Sequence, residues 1–198
     1  GPFQPTLGLF APQSAIDRSR AQPDQAQRRG VLHHLGFAGG LPQLTALILQ
    51  RAWNDERQAF VESLDGRDLD ASVLLMAEVG FLPPTDPRFI STVQALERTL
   101  CDGPFMRRYE AADDFGKPET AFNICTFWRI DALARIGRRD DARAIFELML
   151  ASRNPLGLLS EDTHATTGEM WGNFPQTYSM VGIINAAVRL SAPWDSQI

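Results

Sequence analysis

A single carboxylate, Glu161, stands in the stretch GLLSEDTHATTGEMWGNFPQTYSMVGIINAAVRL, residues 157–190. The polar loop that carries it runs through Gly168 and Trp171 and turns at Gly172, Asn173 and Pro175. It then enters an apolar helix from Tyr178 to Leu190. A carboxylate held between hydrophobic walls can serve as a general base, taking a proton from water while it is ionised. Two further polar groups lie on long loops: Glu119, and the run Arg107–Arg108–Tyr109 ahead of it. Phe122, Trp128, Trp171 and Phe174 are their aromatic neighbours in sequence. Carboxylates, an arginine and aromatic faces suit a sugar site. Rings stack on the apolar faces of pyranoses while charged groups bond the hydroxyls. The same residue types equally describe solvated loop charges, the commoner fate of such side chains.

The elements that would position these residues read as helices. Leu41–Trp53 has apolar residues at near-helical spacing, and Asn54–Asp68 reads as a turn with a short extended piece at Ala59–Val61. Leu69–Val79 is apolar over most of its circumference and is stopped by Gly80 and the Pro83–Pro84 pair. Pro87–Leu100 carries one stripe, Ile90, Val93, Leu96 and Leu100. Glu119–Ile136 is again apolar nearly all round and is capped by Gly137. Arg138–Arg153 is amphipathic, with Ile145, Leu148 and Met149 facing in and Arg139, Asp140, Asp141, Arg143 and Glu147 facing out.

The order is thus buried, striped, buried, striped, buried. A helix apolar all round must be covered on both sides, whereas a striped one lies on the surface. That alternation predicts an all-α protein and, within that class, an α/α toroid whose inner helices are enclosed by an outer ring. A helical bundle or solenoid is the competing architecture. Against the solenoid stands the lack of a short repeat of fixed period. Against the bundle stand the connections, since those before Leu69, Glu119 and Tyr178 are long and polar while the others are short. In a toroid those long loops gather on one face and build a site there.

Composition narrows the functional classes. A chain of 198 residues with 44% hydrophobic and 22% charged residues is an ordinary globular one. A net charge of −5 argues against nucleic acid or an acidic membrane as partner. No apolar run approaches the roughly 20 residues of a membrane span, and no signal peptide opens the chain. Cys101 and Cys125 are too few for a disulfide framework and predict buried free thiols in a reducing, cytoplasmic compartment. Residues 1–40 are rich in Gly, Pro, Gln and Arg and predict an irregular lead-in, with at most a helical turn or two at Ala15–Arg20. His33 and His34 have no acidic or Cys partner at ligand spacing, so no metal site is read. The chain opens on Gly1 rather than Met, as a piece of something longer would.

The stretch from Gly157 to Leu190 resembles the C-terminal end of family 15 glycoside hydrolases, the glucoamylases and the bacterial trehalases related to them. The resemblance extends back through PETAFNICTFWRIDALARIGRRDDARAIFELML and RAWNDERQAFVESLDGRDLDASVLLMAEVGFLPPTDPRF, covering residues 51–190. It implies a six-fold α/α barrel of twelve helices, of which about six are present, the C-terminal half. The domain then runs over residues 41–192, with a tail at 193–198. It implies exo-acting release of glucose from α-glucosides (trehalose, maltose or malto-oligosaccharides) with inversion and without a metal or organic cofactor. Inversion uses an acid and a base about 6.5–9.5 Å apart, leaving room for the attacking water.

In the family the base lies in a Ser/Ala-Glu-x-Tyr-Asp motif. The match is Ser160-Glu161-Asp162-Thr163-His164, which assigns Glu161 as base. The resemblance further implies sugar contacts from Arg108 and Tyr109, from Glu119 ahead of a pocket-lining helix, from Phe122 as an aromatic wall, and from Trp171. Trp171 and Asn173–Gln176 belong to a loop motif, GNFPQ, shared with the bacterial branch. Thr163-His164 replaces the family's Tyr-Asp, and Met180 replaces a frequent His. His164 is either a surface residue or a neighbour that biases the charge on Glu161. The family's general acid lies in an upstream Trp-Glu motif, and no Trp-Glu pair occurs in this sequence. The chain alone is therefore expected to be inactive, and a half-ring exposing inner-helix surface is expected to self-associate. The rival reading is a non-catalytic helical binding or interaction module that kept the barrel's packing.

Overall fold

The computed structural model describes residues 40–112 and 116–191. The expectations for His33, His34, the Ala15–Arg20 turn and the 193–198 tail lie outside the described residues. The chain divides into two units, residues 1–44 and 45–198; the helix Leu41–Arg51 begins in the first, and the other elements described below lie in the second.

Among the described residues, five α-helices supply the frame: α1 at Leu41–Arg51, α2 at Pro87–Leu100, α3 at Asn123–Arg135, α4 at Arg139–Ala151 and α5 at Thr177–Leu190. A 3₁₀ helix spans Ala71–Met76. Helix α3 is the hub, packing against the 3₁₀ helix, α4 and α5. Its Ile124, Cys125, Phe127, Ile130, Ala132 and Leu133 are all buried. Striped α4 buries only Ala142, Ile145 and Met149, and lies across α3 and α5. The inner-and-outer alternation is therefore present: the 3₁₀ helix, α3 and α5 form one layer, and α2 and α4 back it.

Local chemistry sets the boundaries. Helix α2 opens at Pro87, whose fixed φ suits a first helical residue, and Asp86 caps it by accepting from the Arg88 amide at 2.9 Å. Helix α4 stacks Asp140 and Asp141 at its positive end. Its Arg139 and Arg143 are exposed, as expected, and their guanidinium groups reach the C-terminus of α5. Both donate to the Leu190 carbonyl, at 3.1 and 3.0 Å, and satisfy an acceptor that the helix leaves open. Leu148, expected to face in, is exposed, because α4 buries Ile145 and Met149 and the position just before Met149 falls off that stripe.

Two expected helices are shorter than their apolar runs. The Leu69–Val79 run forms the tight six-residue 3₁₀ helix, fixed at its start by Asp70 and at its end by Phe81, whose amide donates to Met76 at 2.8 Å. The Glu119–Ile136 run becomes helical only at Asn123. Its first residues form strand β5, Ala121–Phe122, in a three-stranded antiparallel sheet with β6, Asp162–Thr163, and β7, Met170–Trp171. Hydrogen bonding to β6 holds Ala121 and Phe122 extended, Phe122 lying opposite Asp162. The remaining strands form two hairpins, β1–β2 (Trp53–Asn54 with Ala59–Phe60) and β3–β4 (Cys101–Asp102 with Phe105–Met106). Both cysteines are free thiols, and burial pushes Cys101 up to about 11 and Cys125 higher still.

Helix α5 has two unlike faces. Ser179, Gly182, Ala186 and Leu190 are buried against the core. On the other side Tyr178, Val181, Ile184 and Val188 are 62, 43, 61 and 72% exposed. Gly182 is the point of closest approach, because a Cβ there would lie 2.3 Å from Cδ2 and 3.0 Å from Cβ of Phe127. Replacing a mid-helix glycine by alanine ordinarily stabilises by about 1 kcal/mol. Here overpacking, worth about 1–3 kcal/mol, opposes that gain, and turning the Phe127 ring cannot clear its own Cβ. Gly182→Ala is expected to lower the urea midpoint of unfolding. An unchanged or raised midpoint would show that α5 is free to move off α3.

Candidate active site

The long loops before the 3₁₀ helix, before β5 and before α5 meet around a cavity of ≈ 460 Å³. Glu161 and Asp162 line it from the last loop, Thr120 and Phe122 from β5 and its approach, Arg108 and Tyr109 from the middle loop, and Asp70 from the cap of the 3₁₀ helix. The volume falls within the range of small-molecule sites, about 300–1,000 Å³.

The sheet explains how Glu161 arrives there. It immediately precedes β6, and its carbonyl accepts from the Asn123 amide at 3.0 Å, which carries the β5–β6 pairing one residue further. The preceding residue, buried Ser160, is held from below. Its carbonyl accepts from Asn123 Nδ2 at 2.9 Å and from Ser179 Oγ at 2.7 Å. Asn123 Oδ1 accepts in turn from Thr163 Oγ1 at 2.9 Å. Thr163, standing where the family motif has Tyr, is therefore a buried anchor of the loop. Glu161 Oε2 accepts from the backbone N of Asn173 at 3.1 Å and from its Nδ2 at 2.8 Å.

Arg108 faces Asp70, which accepts from its Nε through both carboxylate oxygens at 3.0 Å. The guanidinium carbon lies 5.6 Å from the centre of the Trp128 ring, a cation–π contact. The Arg108 carbonyl accepts from the Ala71 amide at 2.8 Å, and Tyr109 bridges Asp70. Asp70 also caps the 3₁₀ helix through the Ser72 amide, at 2.7 Å. Its Asp-before-apolar-run signature identifies a helix start in the sequence, whereas the partnership with Arg108, 38 residues away, has no sequence signal.

Of the expected site residues, Glu161, Arg108, Tyr109 and Phe122 come together on the cavity. Glu119 is exposed and outside its lining, one residue before Thr120. Trp171 is 45% exposed and also outside the lining; its indole donates to Glu169 at 3.3 Å and its ring lies 6.4 Å from that of His164. His164 accepts from the Thr167 amide in the β6–β7 turn, at 3.2 Å, away from the cavity. Among the described residues no group of three or more His, Cys, Asp or Glu side chains is placed to hold a metal ion.

Asp162, beside Glu161, is the third carboxylate of the cavity lining, with Asp70 and Glu161. Burial pushes its pKa up, Thr120 Oγ1 donating at 2.6 Å holds it down, and the charge of Glu161 pushes it up again. The net direction is upward. A carboxyl whose folded pKa exceeds its unfolded value, about 3.9, contributes stability below the unfolded value and loses it as pH rises through the folded one. Asp162→Asn keeps an acceptor for Thr120 but has no proton to lose. Its thermal midpoint relative to wild type is therefore expected to climb between about pH 4 and neutrality. A difference that stays constant with pH would remove Asp162 from this balance.

Residues 13–188 match the family model for glycosyl hydrolases family 15. The match begins upstream of residue 51, within the lead-in where motifs are sparse. The chain is 34% identical over 199 residues to a trehalase of Thermoplasma acidophilum, covering 90% of this chain and 34% of that protein. With a trehalase of Mycobacterium tuberculosis it shares 37% over 139 residues, covering 69% and 20%. It thus spans about a third or less of the length of these curated relatives. Among solved structures, a wild-type glycosidase superposes with a TM-score of 0.64 at 20% identity, over 75% of this chain and 42% of that one. A glycosidase in complex with glucose gives the same TM-score at 18% identity, with the same coverage. These likenesses show the fold, all-α and of the α/α-barrel glycosidase type. The chain belongs to glycosyl hydrolase family 15.

Proposed function

We propose that the protein carrying this chain is an inverting, exo-acting α-glucoside hydrolase in which Glu161 is the general base. The observation that carries this reading is the placement of Glu161 on the cavity, fastened by Asn173 at one oxygen, with Arg108 and Phe122 on the same walls. An anchored carboxylate can activate water, a guanidinium donates to hydroxyls in a fixed planar geometry, and an aromatic ring stacks on a pyranose. Trehalose is the favoured substrate, because the curated relatives are trehalases, with maltose and short malto-oligosaccharides next. The general acid comes from outside these residues, which contain no Trp-Glu pair, and from the first half of the barrel. The chemistry needs only the two carboxyl groups.

Glucose release from trehalose, maltose and maltotriose by the protein completed with its upstream half, beside its Glu161→Gln variant, tests this. The Gln variant is expected to lose about 10²–10⁴-fold in kcat. Equal release from both proteins would remove Glu161 from the mechanism. No release from either would favour the non-catalytic binding module.

The exposed stripe on α5 supports a second proposal: alone, the chain self-associates through Tyr178, Val181, Ile184 and Val188. Contiguous apolar surface of this kind is rarely left open on a monomer. Sedimentation of the isolated chain should show association that rises with concentration and is relieved by Ile184→Glu. A monodisperse monomer would overturn it.

A further inference from the structure

We propose that Asn173 positions the carboxylate of Glu161, a role that rests on the reading of Glu161 as general base. The two residues make three hydrogen bonds. The Glu161 amide donates to the Asn173 carbonyl at 2.9 Å, the Asn173 amide donates to Glu161 Oε2 at 3.1 Å, and Asn173 Nδ2 donates to the same Oε2 at 2.8 Å. The first fixes the backbone of the base. The other two bring donors from different directions onto one oxygen and so fix the side-chain torsions.

Gly172 completes the arrangement. It sits at φ +76°, where L side chains are strained. A Cβ there would lie 2.8 Å from Oε2 and 2.9 Å from Cβ of Glu161. The base therefore lies directly on the backbone of residue 172, and the amides of the following residue close over it. Gly172 and Asn173 stand in the GNFPQ stretch, to which the sugar-site reading gives no chemical task. The geometry gives it one: the glycine makes room and the asparagine aims the carboxylate.

Two variants of the protein completed with its upstream half separate aim from mere packing, read against Glu161→Gln. Asn173→Ala removes the Nδ2 donor and keeps the amide. It is expected to lower kcat about 10- to 100-fold, the scale of a small misplacement of a catalytic group, with KM within about twofold. Asn173→Asp keeps the shape but sets a second carboxylate against Oε2. Like charges disfavour ionisation, so the acid limb of its kcat/KM profile is expected to move to higher pH, which a purely structural role would not cause. Thermal midpoints of both should stay near wild type. If Glu161→Gln retains activity, the base reading falls. If that variant is inactive while both Asn173 variants keep wild-type kcat and pH profile, the positioning role alone falls. Loss of kcat that only tracks a collapse of the thermal midpoint in both variants would also overturn it, in favour of a structural role.

Discussion

The site depends on one buried amide. Asn123, the first residue of the central helix, is fully buried, and its side chain has a partner on both ends: the Ser160 carbonyl on Nδ2 and the Thr163 hydroxyl on Oδ1. Its backbone N–H is also used, by Glu161. A buried amide left without partners costs about 1–3 kcal/mol per unmet group. Any rearrangement of the 160–163 segment would break these bonds together. The loop bearing Glu161 is for that reason an extension of the core, although it has little regular structure of its own. Ser179 fastens it a second time from α5.

Charge is arranged around that anchor with little slack. Asp70, Glu161 and Asp162 bring three carboxylates to the cavity, and Arg108 is the cation among its lining residues. Arg108 is held by Asp70 on its Nε edge and by the face of Trp128, so its orientation is set by two different elements, the 3₁₀ helix and α3. The Asp70 cap thus has two functions. It starts the 3₁₀ helix, and it ties the middle loop to that helix. Asp162 takes the opposite course: burial works against its charge, and Thr120 offsets part of the cost.

The helical frame was legible because the apolar runs have helical spacing and the breakers are strong. Pro87–Leu100 emerges with its expected ends, and Gly137 separates two helices where a left-handed residue, at φ +91°, is required. The small sheet was not legible. Strands of two residues carry no periodicity, and Ala121–Phe122 continue the apolar pattern of the helix that follows. Their extended conformation is imposed by Asp162 and Thr163, some forty residues away. For the same reason Glu161 could be read from its motif, whereas Asp70 and Asp162 could not be read as cavity residues. Their placement follows from pairing between distant segments. Glu119, adjacent to a lining residue, is turned out of the cavity by the strand that begins two residues later.

Helix α5 shows how the site and the frame are coupled. Its buried stripe consists of small residues for most of its length, Ser179, Gly182 and Ala186. Small residues allow close approach, and Gly182 meets the Phe127 ring. Ser179, three residues earlier on the same stripe, reaches the Ser160 carbonyl. At the far end Arg189 is bonded to Asp131 at 2.6 Å, and the Leu190 carbonyl is held by Arg139 and Arg143. With both ends and the middle fixed, the helix cannot rotate. A side chain larger than glycine at residue 182 would therefore displace Ser179 as well, and with it the carbonyl one residue ahead of Glu161. The fastenings that place Glu161 on the cavity are the same ones that decide which face of α5 stays open.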